Sequence, residues 1–330
     1  MDRRELLAAG IAGTLLAPAA ANAANAAQAS APGGPVKPDT SFNLWPGEAP
    51  GLTNQALDDH VWDRSKDPAW PDRAVDRIRN PRLDVFRAAK PNGAAMLVIP
   101  GGGYQRVVLD KEGYEFGPLL AARGITVFVL FYRLPGEGWH DRMNAPLADA
   151  QRAMRLIRSR AAEFRIDPKR VGAMGFSAGG HLCASLATSH ARRTYQPVDA
   201  ADALDARPML AAPIYPVVSM DPAIAHGGSR SLLLGPDATA EAARLHSPEL
   251  QVGADTPPCF LLHAENDETV PVDNTIRFRA ALKAAGIPVE THIFEKGGHG
   301  FGWGKRTEGE PVHAWPELFL AWAKSHGLID

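Results

Sequence analysis

The segment Gly175-Phe176-Ser177-Ala178-Gly179 has the composition of a turn that holds a nucleophile. Glycines two places to either side of the serine let the chain and a following helix pass close together, and a strained turn lifts the hydroxyl into the open. The blander reading is a glycine-rich turn with a capping serine. A serine hydroxyl is a weak nucleophile at neutral pH and needs a base within reach. His299 is the best candidate, in Lys296-Gly297-Gly298-His299-Gly300-Phe301-Gly302, where glycines on both sides suit a loop that presents one side chain. Other histidines have weaker settings: His263 lies in an apolar run, His181 just beyond the serine, and His190, His246 and His313 in polar segments. An imidazole that accepts a proton must be held in one tautomer and stabilised while charged. Asp267 fits that task, in His263-Ala264-Glu265-Asn266-Asp267-Glu268-Thr269-Val270-Pro271, with Glu265 and Glu268 as rivals and Asp273 as a weaker one. Together these residues would attack a carbonyl carbon and pass through an acyl-enzyme.

Such a reaction develops an oxyanion, which needs backbone N–H groups aimed at it. Ala178, directly after the nucleophile, supplies one. Pro100-Gly101-Gly102-Gly103-Tyr104 is the candidate for the second, with Gly102 or Gly103 as donor, because consecutive glycines let the backbone approach a bound carbonyl. Tyr104, Trp139 and Trp303 lie in loops near these motifs and are candidates for substrate contact. For the two tryptophans, stacking on a sugar ring and packing in the core stand equally open. His and Cys show no metal-ligand spacing, and the glycine loop lacks the GxGxxG and GK[ST] signatures, so no metal or cofactor is expected.

These residues must be positioned by strands and helices, and the pattern alternates between the two. Ala94–Ile99, Ile125–Tyr132, Val171–Phe176, Leu210–Val218, Phe260–Ala264 and Val289–Phe294 read as strands. Helices are expected over Glu112–Arg123, stopped by Gly124, over Ala178–His190, over Val272–Ala285 and over Val312–His326. Leu147, Ala150, Met154, Ile157 and Ala161 recur at helical spacing, which would turn Arg152, Arg155 and Arg158 mostly outward. Residues 221–256 are expected to form a small cap over the pocket. The alternation implies an α/β fold with a mostly parallel central sheet and helices on both faces. Each candidate lies just after a strand, where such sheets place their sites.

The 330 residues, 45% hydrophobic and 22% charged, suffice for one large domain, expected over 41–330. A formal net charge of -2 gives no basic surplus for nucleic acid or anionic lipid. Arg3 and Arg4 precede a short apolar run and two small-x-small sites, so residues 1–26 read as a signal peptide of twin-arginine type, with 27–40 as a flexible linker. Export to the periplasm or beyond the cell is the expectation, with no stable membrane association. Cys183 and Cys259 are the two cysteines and are expected to be buried thiols.

The ordered motifs continue beyond the candidate site. They include Leu44-Trp45-Pro46-Gly47-Glu48-Ala49-Pro50-Gly51, Glu112-Gly113, Tyr132-Arg133-Leu134-Pro135, Asp149-Ala150-Gln151-Arg152, Gly180-His181, Tyr215-Pro216-Val217 and Pro257-Pro258. With them the chain resembles bacterial α/β-hydrolases of the acetyl xylan esterase and related carbohydrate esterase type, a group related to dienelactone hydrolases. The resemblance implies the α/β-hydrolase fold, a triad of Ser177, Asp267 and His299 in the chain order of that fold, and an oxyanion loop at Gly101–Gly103. It also implies release of acetyl groups from plant cell-wall saccharides such as xylan, so an acetylated oligo- or polysaccharide is the expected partner. The rival readings are a feruloyl or other short-acyl esterase, a peptidase of the prolyl-oligopeptidase type, and a non-catalytic carbohydrate-binding module.

Overall fold

Strands that bury every residue need cover on both faces, and the longest such segments here are four. They are β5 (Ala95–Ile99), β7 (Thr126–Phe131), β8 (Val171–Phe176) and β10 (Cys259–Ala264). The computed structural model describes residues 36–330 except 68 and 306, all within one compact unit. The segments read as export signal and most of the linker lie outside the described residues.

The remaining strands are β1 (Thr40–Asn43), β2 (His60–Asp63), β3 (Arg73–Asp76), β4 (Arg82–Phe86), β6 (Val107–Val108), β9 (Ala211–Ile214) and β11 (Val289–Phe294). The main sheet has the order β1-β4-β7-β5-β8-β9-β10-β11. Pairing is parallel from β7 across to β11 and antiparallel where β1 and β4 join the other edge. The helices are α1 (Phe116–Ala121), α2 (Ala145–Ser159), α3 (Ala161–Phe164), α4 (Ala178–Ser189), α5 (Gly227–Leu234), α6 (Ala240–Leu245), α7 (Asp273–Ala284) and α8 (Trp315–Ser325). Helices α2 and α4 pack on each other and on β8. Helices α1 and α8 meet through Phe116 and Trp315, and Phe116 also lies on Phe176 at the end of β8, with ring centroids 4.7 Å apart. This is the mostly parallel sheet expected from the alternation of elements, and the α/β-hydrolase fold that the resemblance implies.

Local departures from the expected elements have physical causes. β9 stops at Ile214 because Tyr215 takes φ 35° and Pro216 follows, so the chain leaves the sheet four residues before Val218. The helix expected over Glu112–Arg123 divides into a π-helical turn, Asp110–Tyr114, and α1. β6, directly after the glycine loop, joins β2 and β3 in a separate antiparallel sheet. Arg73 on β3 clamps Asp110 with a guanidinium contact of 2.7 Å, so this sheet holds the chain that leaves the loop.

Arg152 does not face outward. It is 1% exposed, donates to the Leu44 carbonyl at 2.9 Å, and pairs with Asp202 at 3.0 Å and with Asp199. Asp149, one helical turn earlier, is fully buried and receives Arg133 at 2.8 Å and the Trp45 indole N–H at 2.9 Å. Helical periodicity placed Arg152 on the polar side of α2, but the Leu44–Trp45 segment and the 199–202 turn cover that side. Buried ions persist only with such complete partnering. Cys183 and Cys259 are buried free thiols, and burial pushes Cys183 up to about 12.

Candidate active site

Ser177 links β8 to α4 with φ 54° and ψ -118°, a strained conformation for a residue with a Cβ. The turn is so tight that a Cβ on Gly175 would lie 2.1 Å from the Gly179 carbonyl oxygen, and one on Gly179 would lie 2.2 Å from that of Ile99. Only glycine fits at either position. The Ser177 carbonyl accepts N–H bonds from His181 and Val217, both 3.0 Å, which pins the turn to α4 and to the loop after β9.

His299 sits in the loop after β11, with Gly298 at φ 60° and Gly300 at φ 75° on either side. The Ser177 hydroxyl donates to His299 Nε2 at 2.9 Å, and His299 Nδ1–H donates to Asp267 Oδ2 at 2.6 Å. Asp267 follows β10 and is buried, whereas its rivals Glu265, Glu268 and Asp273 are exposed. Its Oδ1 receives the N–H groups of Thr269 (2.9 Å) and Val270 (2.8 Å), and its Oδ2 also receives His263 Nε2–H at 3.2 Å. Burial works against the ionised carboxyl, but the hydrogen bonds from His263, His299 and Val270 outweigh it and hold the group well below the usual carboxylate range.

His263 was passed over in the sequence because an apolar strand surrounds it. The structure shows its task. Its Nε2 faces two acceptors, Asp267 Oδ2 and the Val270 carbonyl (3.0 Å), while the Thr275 hydroxyl lies 2.8 Å from Nδ1. Nε2 therefore carries a proton. His263 is a fixed donor that holds the acid from behind.

The glycine loop runs against Ser177. A Cβ on Gly101 would fall 2.9 Å from Ser177 Cβ. The Gly101 N–H is taken by buried Glu112 Oε2 at 2.9 Å. Among the described residues, no protein acceptor meets the N–H groups of Gly102 or Gly103, and Ala178 opens α4, where first-turn N–H groups lack helical partners. The turn at Ser177 and the glycine loop beside it thus offer N–H groups that no protein acceptor meets among the described residues.

Glu112 is a second residue that sequence reasoning left without a role. Its other oxygen receives the Tyr215 hydroxyl at 3.0 Å, and that hydroxyl accepts the Gly302 N–H at 3.1 Å. Burial and then the Glu112 charge push the Tyr215 phenol well above its ordinary range, so it stays a donor. The Tyr215 ring also lies edge-on to His299, centroids 5.1 Å apart. One buried carboxylate thus ties the oxyanion loop to the histidine loop. Glu112→Gln would place an N–H2 against a donor in this closed network, at a cost of about 1–3 kcal/mol. The expected outcome is a lower melting temperature together with a fall in kcat of roughly tenfold or more, as both loops shift. Thermal melts and steady-state kinetics on one ester check it.

The three candidate substrate contacts lie elsewhere. Tyr104 is 1% exposed, and its hydroxyl donates to His181 Nδ1 at 2.7 Å, while His181 Nε2–H donates to the His246 carbonyl at 2.8 Å. Burial holds His181 down at about 4, so it is neutral in this chain of bonds. Tyr104 therefore anchors the glycine loop to α4 and does not face a ligand. Trp139 is buried beside the Arg133 guanidinium, 5.3 Å from its ring. Trp303 packs edge-on to Phe116 (4.9 Å) and Trp315 (5.7 Å). Trp139 thus packs in the core, whereas Trp303 is half-buried against its edge. Among the described residues, no group of three or more His, Cys, Asp or Glu side chains is placed to hold a metal ion, and no helix is long and apolar enough to cross a membrane.

Comparison with known proteins agrees with the fold. Residues 83–282 match the BD-FAE family model, and the chain belongs to this family of α/β-hydrolases. It is similar to an acetylxylan esterase of Xylanibacter ruminicola, 33% identical over 68% of this chain and 44% of the relative. It is also similar to endo-1,4-beta-xylanase B of Butyrivibrio fibrisolvens, 38% identical over 62% of this chain and 32% of the relative. The chain therefore spans less than half the length of these curated relatives. The crystal structure of an acetyl ester-xyloside bifunctional hydrolase from Caldicellulosiruptor lactoaceticus superposes with a TM-score of 0.73 and 34% identity, covering 89% of this chain and 99% of that one.

Proposed function

We propose that this protein is a serine carboxylic-ester hydrolase that removes acetyl groups from saccharides of the plant cell wall such as xylan. The observation that carries the reading is the continuous hydrogen-bonded line from Ser177 through His299 to buried Asp267, set against a glycine loop with N–H groups to spare. The relatives named for acetylxylan esterase, xylanase and acetyl ester hydrolase functions support the choice of substrate.

In this mechanism Ser177 Oγ attacks the ester carbonyl as its proton passes to His299 Nε2. The carbonyl π electrons move to oxygen, and the oxyanion is held by N–H groups of Ala178 and the Gly102–Gly103 stretch. Asp267 stabilises the imidazolium without taking its proton. His299 then protonates the departing sugar oxygen as the C–O bond breaks, leaving acetyl-Ser177. Water, deprotonated by the same histidine, attacks this ester and releases acetate. The N-terminal segment read as an export signal would put this activity in the periplasm or outside the cell, where cell-wall polymers are met.

The test is hydrolysis of p-nitrophenyl esters of increasing acyl length, with acetylated xylan alongside. The expected result is a preference for acetate together with acetate release from xylan. Turnover confined to long or aromatic acyl esters would keep the serine mechanism and move the substrate to the feruloyl or bulky-acyl class. Cleavage of peptide anilides without ester turnover would overturn the assignment.

A further inference from the structure

The segment over 221–256 contributes a residue that faces the candidate site and has no role in the mechanism above. His226 caps the N-terminus of α5, where its Nδ1 accepts the Ser229 N–H at 3.2 Å and lies 2.8 Å from the Ser229 hydroxyl. A backbone N–H can only donate, so Nδ1 carries the lone pair and Nε2 carries the proton. Ser229 is fully buried, which fixes the ring. Among the described residues His226 Nε2–H has no acceptor, and the ring is only half-buried. The ring stands over the oxyanion loop: a Cβ on Gly103 would meet only His226 Cε1, at 3.8 Å. Burial first, and then the nearby His299 charge, push His226 below the usual histidine range, against a smaller opposing pull from Asp267. At neutral pH it is an uncharged, oriented donor within electrostatic reach of His299.

An acetyl ester offers few acceptors. Its carbonyl oxygen is taken by the amides of Ala178 and the glycine loop, and its methyl group accepts nothing. The remaining acceptors in an acetylated saccharide are the ring oxygen and hydroxyl oxygens of the alcohol portion. We propose that His226 Nε2–H donates a hydrogen bond to an oxygen on the sugar side of the scissile ester and so selects alcohols that carry a neighbouring oxygen. This rests on the reading of the protein as an ester hydrolase and deepens it, because it assigns a residue to recognition of the alcohol.

His226→Ser tests the idea, since serine retains an N-capping oxygen for α5 but loses the second N–H. The variant is compared with the wild type on acetylated xylobiose and on phenyl acetate, whose alcohol has no oxygen beyond the ester itself. The expected result is a fall in kcat/KM for acetylated xylobiose that exceeds the fall for phenyl acetate by roughly tenfold, carried mainly by KM. Equal falls on both esters, or no fall on either, would overturn the proposal and leave His226 as a helix cap. A wild-type enzyme that cleaves phenyl acetate but refuses acetylated xylobiose would instead overturn the saccharide reading. In that case 2-hydroxyethyl acetate against ethyl acetate makes the same comparison, with the same selective loss expected and the same equal response overturning the role of His226.

Discussion

Ser177→Ala is expected to lower kcat by about 10⁵–10⁶-fold while stability changes by less than about 1 kcal/mol. The size of the loss follows from what remains. Without Oγ there is no nucleophile for His299 to activate, and water would have to attack from a position that the turn was not shaped to hold. The small stability change follows from the surroundings. The conformation of residue 177 is held by its backbone bonds to Ile214, His181 and Val217, and by the close passage of Gly175 beside Gly179. None of these uses the hydroxyl, whose one protein partner among the described residues is His299 Nε2. Ester kinetics and a thermal melt on the same preparation check both halves.

Asp267→Asn is expected to cost about 10⁴-fold in kcat, by a different route. The carboxylate accepts on both oxygens: Oδ1 from two backbone N–H groups, Oδ2 from His299 and His263. An asparagine cannot satisfy both sides. If its oxygen stays on Thr269 and Val270, its N–H2 meets His299 Nδ1 and forces the proton onto Nε2. That tautomer cannot accept from Ser177. His263 gives no relief, since its Nε2–H is directed at the same point by Thr275 and the Val270 carbonyl. The substitution also has a pH signature. The folded-state pKa of Asp267 is depressed, so its charge stabilises the fold above the unfolded carboxyl value of about 4 and the contribution is lost as pH falls through the folded value. The stability gap between wild type and Asp267→Asn should therefore be widest near neutral pH and narrow towards strong acid, as chemical denaturation at a series of pH values would show.

The parts of this molecule legible in the sequence are those where one residue type answers one local demand. Gly175 and Gly179 mark a turn that no other residue could make, the glycines around His299 mark a loop in left-handed conformation, and the all-buried strands between them are continuous apolar runs. Ser177, Asp267 and His299 follow from those landmarks and meet in the structure. What sequence reading missed depends on contacts between distant segments. Arg152 has the spacing of a surface residue, and only the return of residues 44–45 and 199–202 buries it. Glu112, Tyr215 and Gly302 belong to three separate motifs that become one network once the sheet, in the order β5-β8-β9-β10-β11, brings the segments that follow β5, β9 and β11 together. The tyrosine and two tryptophans placed near the site by chain position are engaged in hydrogen bonding and ring packing, which their place in a loop does not foretell. His226 and His263 looked ordinary because each is given its meaning by the partner that fixes its ring. The short strands β1–β4 and β6 carry no long apolar run, and partners distant in sequence complete them.

The central claim is that Ser177 is the residue that takes the acyl group. A fluorophosphonate ester, which mimics the tetrahedral intermediate and remains on the nucleophile, addresses it directly when the adduct is mapped by peptide mass. The expected result is a single adduct on Ser177, absent from Ser177→Ala and formed much more slowly in Asp267→Asn, with loss of ester turnover in step with labelling. An adduct on another residue, or full ester turnover in protein that never becomes labelled, would contradict it.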